Sequence, residues 1–330
     1  MGEPPPMAPI LTERVLRRLG SPRAVWVLAW ALIPLIAPLA FVATVRLSGR
    51  PLDGGDLQQL ALTQGVLAYV VLVLLVGTGA LAGRAASVRR DIVRILQEPL
   101  APPLFGRLGS IRGPLALTAL AVVVITFGGI DRYGLLPRLT GLLFLAAYMI
   151  PIATFVWVSI VILTDLDRLG RQRLRLDVFP QDRTLGLGDL GALASMGLGL
   201  LFVAVVPVML VAADEPITLI ISLVIVAVTV VAFLFSMWRL HLQMAAAKER
   251  NVEIARRLYA EAYAPIREKP DLAALEAQSD VLSVAQSLDE RAHGLPSWPI
   301  DEGTVRFLAV VVTGVITSLV VRGLFAALGF

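Results

Sequence analysis

Residues 217–238 read ITLIISLVIVAVTVVAFLFSMW, and residues 239–267 continue as RLHLQMAAAKERNVEIARRLYAEAYAPIR with no helix breaker at the join. The first piece holds no charged residue. At about 1.5 Å per residue it matches the roughly 30 Å hydrocarbon layer of a bilayer. The second piece is amphipathic, with Ile254, Leu258 and Ile266 marking an apolar face beside the i,i+4 series Glu253, Arg257 and Glu261. One helix is therefore expected to leave the membrane and run on into water, with Pro265 ending it early. The turn Glu268-Lys269-Pro270-Asp271 follows, then a second amphipathic run with Leu272, Leu275, Leu282, Ala285 and Leu288 on one side. The spacing predicts an antiparallel helical hairpin over residues 239–304.

Six further apolar stretches, at 24–45, 60–83, 115–130, 139–163, 190–213 and 305–321, extend the pattern to seven. Lys and Arg number 4, 2, 6, 2, 5, 0, 8 and 1 in the segments around them, with Arg306 inside the last stretch. Short loops rich in Lys and Arg stay in the cytoplasm. The alternation thus places the N-terminus inside, the C-terminus outside and the hairpin in the cytoplasm, between spans six and seven. Composition agrees, since 57% of residues are hydrophobic and 16% charged, against about 25% charged in soluble domains.

The expected fold is an all-α polytopic membrane protein of seven transmembrane helices. It divides into an inner amphipathic segment (1–23), spans one to six (24–238), the hairpin (239–304) and the last span with an outer C-terminus (305–330). The first stretch has no small-x-small site after it and reads as a span, not a cleaved signal. The bacterial cytoplasmic (plasma) membrane is the expected location.

Asp, Glu, Lys and His are absent from all seven stretches. An ionisable side chain at the bilayer centre costs about 2.5–3.5 kcal/mol on insertion scales, and chains that keep one use it. The absence argues against proton-coupled transport and intramembrane proteolysis. The only lysines, Lys248 and Lys269, lie in the hairpin, so no span offers a retinal-type Schiff base. Polar groups within the stretches are hydroxyls and an amide, among them Thr63, Gln64, Thr78, Thr154, Ser159 and Ser195. Such groups line passive pores, but more often bond their own helix backbone. Small residues recur four apart at Gly79 and Gly83, at Gly191, Ser195 and Gly199, and at Gly314 and Ser318. That spacing lets helices pack closely, within one chain or between copies. Pro34 and Pro38 lie in the first stretch and Pro207 in the fifth, each removing a backbone donor. The three mark a candidate kinked-helix site near the midplane.

Three shorter basic segments flank the inner ends of spans: residues 10–19 with Arg14, Arg17 and Arg18, residues 87–96 with Arg89, Arg90 and Arg94, and residues 166–179 with Arg168, Arg171, Arg173 and Arg175. They read as amphipathic anchors lying on anionic headgroups. The pairs Asp165 with Asp167, and Asp289 with Glu290, read as solvated faces. Trp298, Pro299 and Asp301 form a candidate coupling linker into the last span, Trp298 as an interfacial anchor and Asp301 as a helix N-cap.

The chain has no cysteine, and His241 with His293 supplies too few ligands for a metal site. Gly186-Leu187-Gly188 lacks the strand and spacing of a phosphate loop. No enzyme activity, cofactor or nucleic-acid partner is expected. The leading reading is a regulatory or signalling scaffold that couples membrane helices to a protein partner through a coiled-coil-like hairpin. The alternative is a passive, hydroxyl-lined channel or transport subunit built as a homo-oligomer. The bilayer, with anionic headgroups at the basic segments, is the other expected partner. A lipid-processing enzyme fits least well, for want of a nucleophile with its base.

Overall fold

A computed structural model describes residues 8–18, 23–47, 54–93, 96, 100, 102–127, 135–172, 174, 176, 186–211, 216–268, 272–299, 306, 309, 310, 313, 314 and 317. Among them the chain is helical, without a strand, and an isolated bridge joins Leu96 to Leu174. In order come α1 (Leu11–Arg18), α2 (Arg23–Leu47), α3 (Gly54–Ile92), a 3-10 turn (Gly106–Gly109), α4 (Arg112–Phe127), α5 (Leu135–Gly170), α6 (Gly188–Val211), α7 (Pro216–Glu268) and α8 (Leu272–His293).

Five of these helices are long and apolar enough to cross a membrane, within Trp30–Leu47, Ala61–Ile92, Leu139–Gly170, Gly188–Met209 and Ile220–Arg267. The chain is an integral membrane protein. Of the seven stretches read from the sequence, 115–130 corresponds to α4, whose 16 residues reach about 24 Å, short of the hydrocarbon thickness. Pro114 sits in its first turn, where a missing N–H costs nothing. The stretch 305–321 falls mostly outside the described residues, as do Asp301 and Ser318.

Three helices outrun a bilayer. α3 has 39 residues, α5 36 and α7 53, or about 58, 54 and 80 Å. Each passes from an apolar run into a charged one without a break, and α7 runs through Pro265 to Glu268. Residues 87–92 and 166–170 are therefore the last turns of α3 and α5, where the sequence suggested separate surface anchors. Their apolar sides are packed inside the protein. Val88, Ile92, Leu166 and Leu169 are buried with Ile10, Leu104, Phe105 and Leu108 in the largest core cluster. Hydrocarbon gives helices no reason to hide leucine, but beyond it water drives leucines together, so the dense core forms at this end.

α5 is central, packing on α2, α3, α4 and α7; α6 lies on α3 and α7, and α8 on α7. Within the apolar zone contact is closest at glycine. A Cβ on Gly77 of α3 would overlap the Leu200 side chain of α6, and one on Gly113 of α4 the Trp157 ring of α5. Of the small residues read as packing positions, Gly79, Gly191, Ser195 and Gly199 are buried, whereas Gly83 and Gly314 face open space. Ser195 Oγ donates to the Gly191 carbonyl at 2.7 Å, on its own helix.

Candidate functional site

Pro34 is buried and Pro38 half-buried in α2, and Pro207 is half-buried in α6; both helices continue through them. α2 packs chiefly on α3 and α5, and α6 chiefly on α3 and α7, so both proline-bearing helices lie against α3. Pro151, buried in α5 and not singled out from the sequence, has a clearer role. It lacks the N–H that would bond the Ala147 carbonyl four residues back. The Trp30 indole N–H of α2 donates to that oxygen at 3.0 Å instead.

Polar side chains converge in a collar where α7 leaves the apolar bundle. On one side stands the end of α5, whose last carbonyls have no partner within the helix. The Gln243 amide of α7 donates both its hydrogens there, to the Gly170 and Gln172 carbonyls at 2.6 and 2.8 Å. Asp167 of α5 pairs with Arg171 at 2.6 Å and with Arg239 of α7 at 3.2 Å. A Cβ on Gly170 would lie 2.7 Å from the Arg239 Cβ and 3.2 Å from the Leu240 nitrogen, so only glycine lets α7 approach this closely. Met237, Leu240 and Met244 are fully buried in the core below.

Asp165, which the sequence suggested was solvated, is 1% exposed. It accepts from the Phe105 backbone N–H at 2.7 Å, from Arg168 at 2.9 Å and from Arg107 at 3.5 Å. Three donors, two of them charged, offset the cost of burying a carboxylate. Arg168 also donates to the Pro102 carbonyl, and the Trp157 indole to that of Arg107. Phe105 adopts a left-handed φ of 58°, a conformation that a bulky residue keeps only when its surroundings fix it. Asp165 and the buried Phe105 ring supply that constraint.

On the other side of α7 lies the linker after α8. The His241 ring stacks on Trp298 with centroids 4.3 Å apart, and Trp238 meets Trp298 edge-on. His241 Nδ1 donates to the Ser297 carbonyl at 2.7 Å, and Pro299 is buried. Lys248 Nζ donates to the His293 and Leu295 carbonyls, both at 2.8 Å, capping the end of α8. Of the candidate linker, Trp298 is thus seated on α7 and Pro299 is buried beside it in the chain. His293 pairs with Asp289 at 3.3 Å, and no group of three His, Cys, Asp or Glu suited to a metal occurs among the described residues.

Chemically the collar offers fixed hydrogen bonds and packing, which is the equipment of a joint. No family model, curated protein or solved structure matches this chain.

Proposed function

We propose that this chain is a multi-pass regulatory or scaffold module of the bacterial cytoplasmic membrane, coupling its membrane helices to a protein partner through residues 239–304. On this reading the N-terminus is inside, seven helices span the bilayer, and α8 with the distal half of α7 is a cytoplasmic hairpin. The observation that carries the reading is the continuity of α7, 53 residues through the collar without a break. A continuous helix carries displacement, whereas a flexible tether does not.

Two glycines inserted after Leu242 test the coupling, at a local cost of about 1 kcal/mol each and with restored backbone freedom. The expected result is normal membrane insertion with the crosslinked partner in native membranes lost or insensitive to the membrane domain. Unchanged partner recovery and response would reduce the hairpin to a connector. Single cysteines test the orientation in this cysteine-free chain. Those at Gly54 and Ala213 should react with an impermeant maleimide on intact cells, and one at Ala273 should not.

A second reading has its own support. Gln64 Oε1, Thr78 Oγ1, Tyr148 OH and Ser159 Oγ are buried with no hydrogen-bond partner among the described residues. A passive polar path along α3 and α5 would use such groups. Selective flux through the purified protein in liposomes would replace the regulatory reading with this one.

A further inference from the structure

Ile254, Leu258 and Ile266 look like one apolar stripe in the sequence, but the fold divides them. The buried surface between α7 and α8 is built mainly from alanines, with Ala255, Ala262 and Ile266 on one helix and Ala285 and Ala292 on the other. α8 runs back along α7, since Lys248 meets His293 and Leu295 near its base while Ala255 and Tyr259 share a cleft with Gln286 and Asp289. Arg256 and Gln286, each one residue after an inward alanine, line that cleft. Ile254 and Val284, each one residue before it, lie about 100° to the other side of their helices and so share the opposite flank. There Ile254 is 55% exposed, Leu258 37%, Val281 46% and Val284 58%. The same antiparallel register sets exposed Arg250 level with Arg291 at the end near the collar, and Glu261 level with Asp280 at the far end.

We propose that this flank docks an amphipathic helix of a partner protein, acidic at its collar-proximal end and basic at its distal end. The proposal rests on the reading of residues 239–304 as the signalling element and names the kind of partner it takes. Charge selects the occupant. Two copies in one membrane, related by an axis along its normal, would set arginine against arginine and carboxylate against carboxylate. The four apolar side chains expose on the order of 300 Å², short of the roughly 800 Å² each partner gives a stable dimer. They suit the anchors of a single helix.

Full-length protein in neutral-lipid nanodiscs is titrated with two labelled helical peptides of equal composition, with leucine at i, i+3, i+4 and i+7. One carries Glu at one end and Arg at the other, and the second has them intermixed. The polarised peptide should bind at least about tenfold tighter. Leu258→Asp and Val284→Asp should each remove that preference, while Arg256→Ala on the cleft side should not. Arg250→Glu with Arg291→Glu should transfer preference to a peptide with Arg at both ends. Equal affinity for the two peptides overturns the proposal, as does sensitivity confined to Arg256→Ala. Self-association of the full chain that Leu258→Asp abolishes assigns the flank to a second copy and equally overturns it. The two-glycine insertion after Leu242 should leave peptide affinity unchanged, which separates failure of this surface from failure of the coupling.

Discussion

Replacing Trp30 with Phe keeps an aromatic ring against Val27, Val71 and Leu75 but withdraws the N–H that reaches the Ala147 carbonyl. Pro151 cannot take its place. An unsatisfied carbonyl in hydrocarbon costs several kcal/mol in principle. Measured interhelical hydrogen bonds in membranes are smaller, about 0.6 on average and about 1.7 kcal/mol at most, because the unfolded chain also finds partners. The measured scale should govern, so Trp30→Phe should cost about 1–2 kcal/mol, the hydrogen bond plus a smaller ring. In a Pro151→Ala chain the backbone N–H of residue 151 returns to the Ala147 carbonyl, and Trp30→Phe should then cost only the ring. Reversible unfolding of the four chains in mixed micelles gives the coupling, expected at about 0.5–1.5 kcal/mol. Additivity within about 0.3 kcal/mol refutes the claim that Trp30 supplies the donor that Pro151 lacks.

Gly77→Ala should destabilise the bundle by about 1–3 kcal/mol through its overlap with Leu200, with partial recovery on adding Leu200→Ala, whereas Gly83→Ala, which meets open space, should be neutral or slightly stabilising in the same unfolding assay. Asp165→Leu leaves Arg168 and the Phe105 N–H without this acceptor and should lose about 3–5 kcal/mol, while Asp165→Asn, which keeps an acceptor oxygen, should lose less; equal losses would show that the charge alone is what Asp165 contributes. Lys248→Met should raise amide hydrogen exchange over residues 291–295, because the carbonyls of His293 and Leu295 lose their donor, and leave exchange in α5 unchanged.

The passage of residues 217–267 through Trp238 and Arg239 as one helix was legible because nothing at that join stops a helix, and backbone continuity is a local property. The collar was not. Asp165 and Asp167 stand beside arginines in the sequence and look solvated, yet the shortest hydrogen bond to Asp165 comes from the Phe105 backbone, supplied by a distant loop. The surface between α7 and α8 was hidden for a different reason. Leucine and isoleucine advertise a buried face, but helices that pack closely do so on alanine, and Ala255, Ala262 and Ala285 carry little hydrophobic signal. Pro151 could be seen as a missing donor, but only a folded chain shows which side chain answers it.

The close approach of Gly170 to Arg239 and Leu240 holds α7 against the end of α5 at one point along its length. Were α7 to tilt as a rigid rod about this contact, Gly170 would be its fulcrum. From Pro216 to Leu240 the arm is about 36 Å, and from Leu240 to Glu268 about 42 Å. A tilt that moves the membrane end sideways by a given amount therefore swings the far end the opposite way by about 1.2 times as much. A rod pivoted there would invert the direction of a movement with almost no gain.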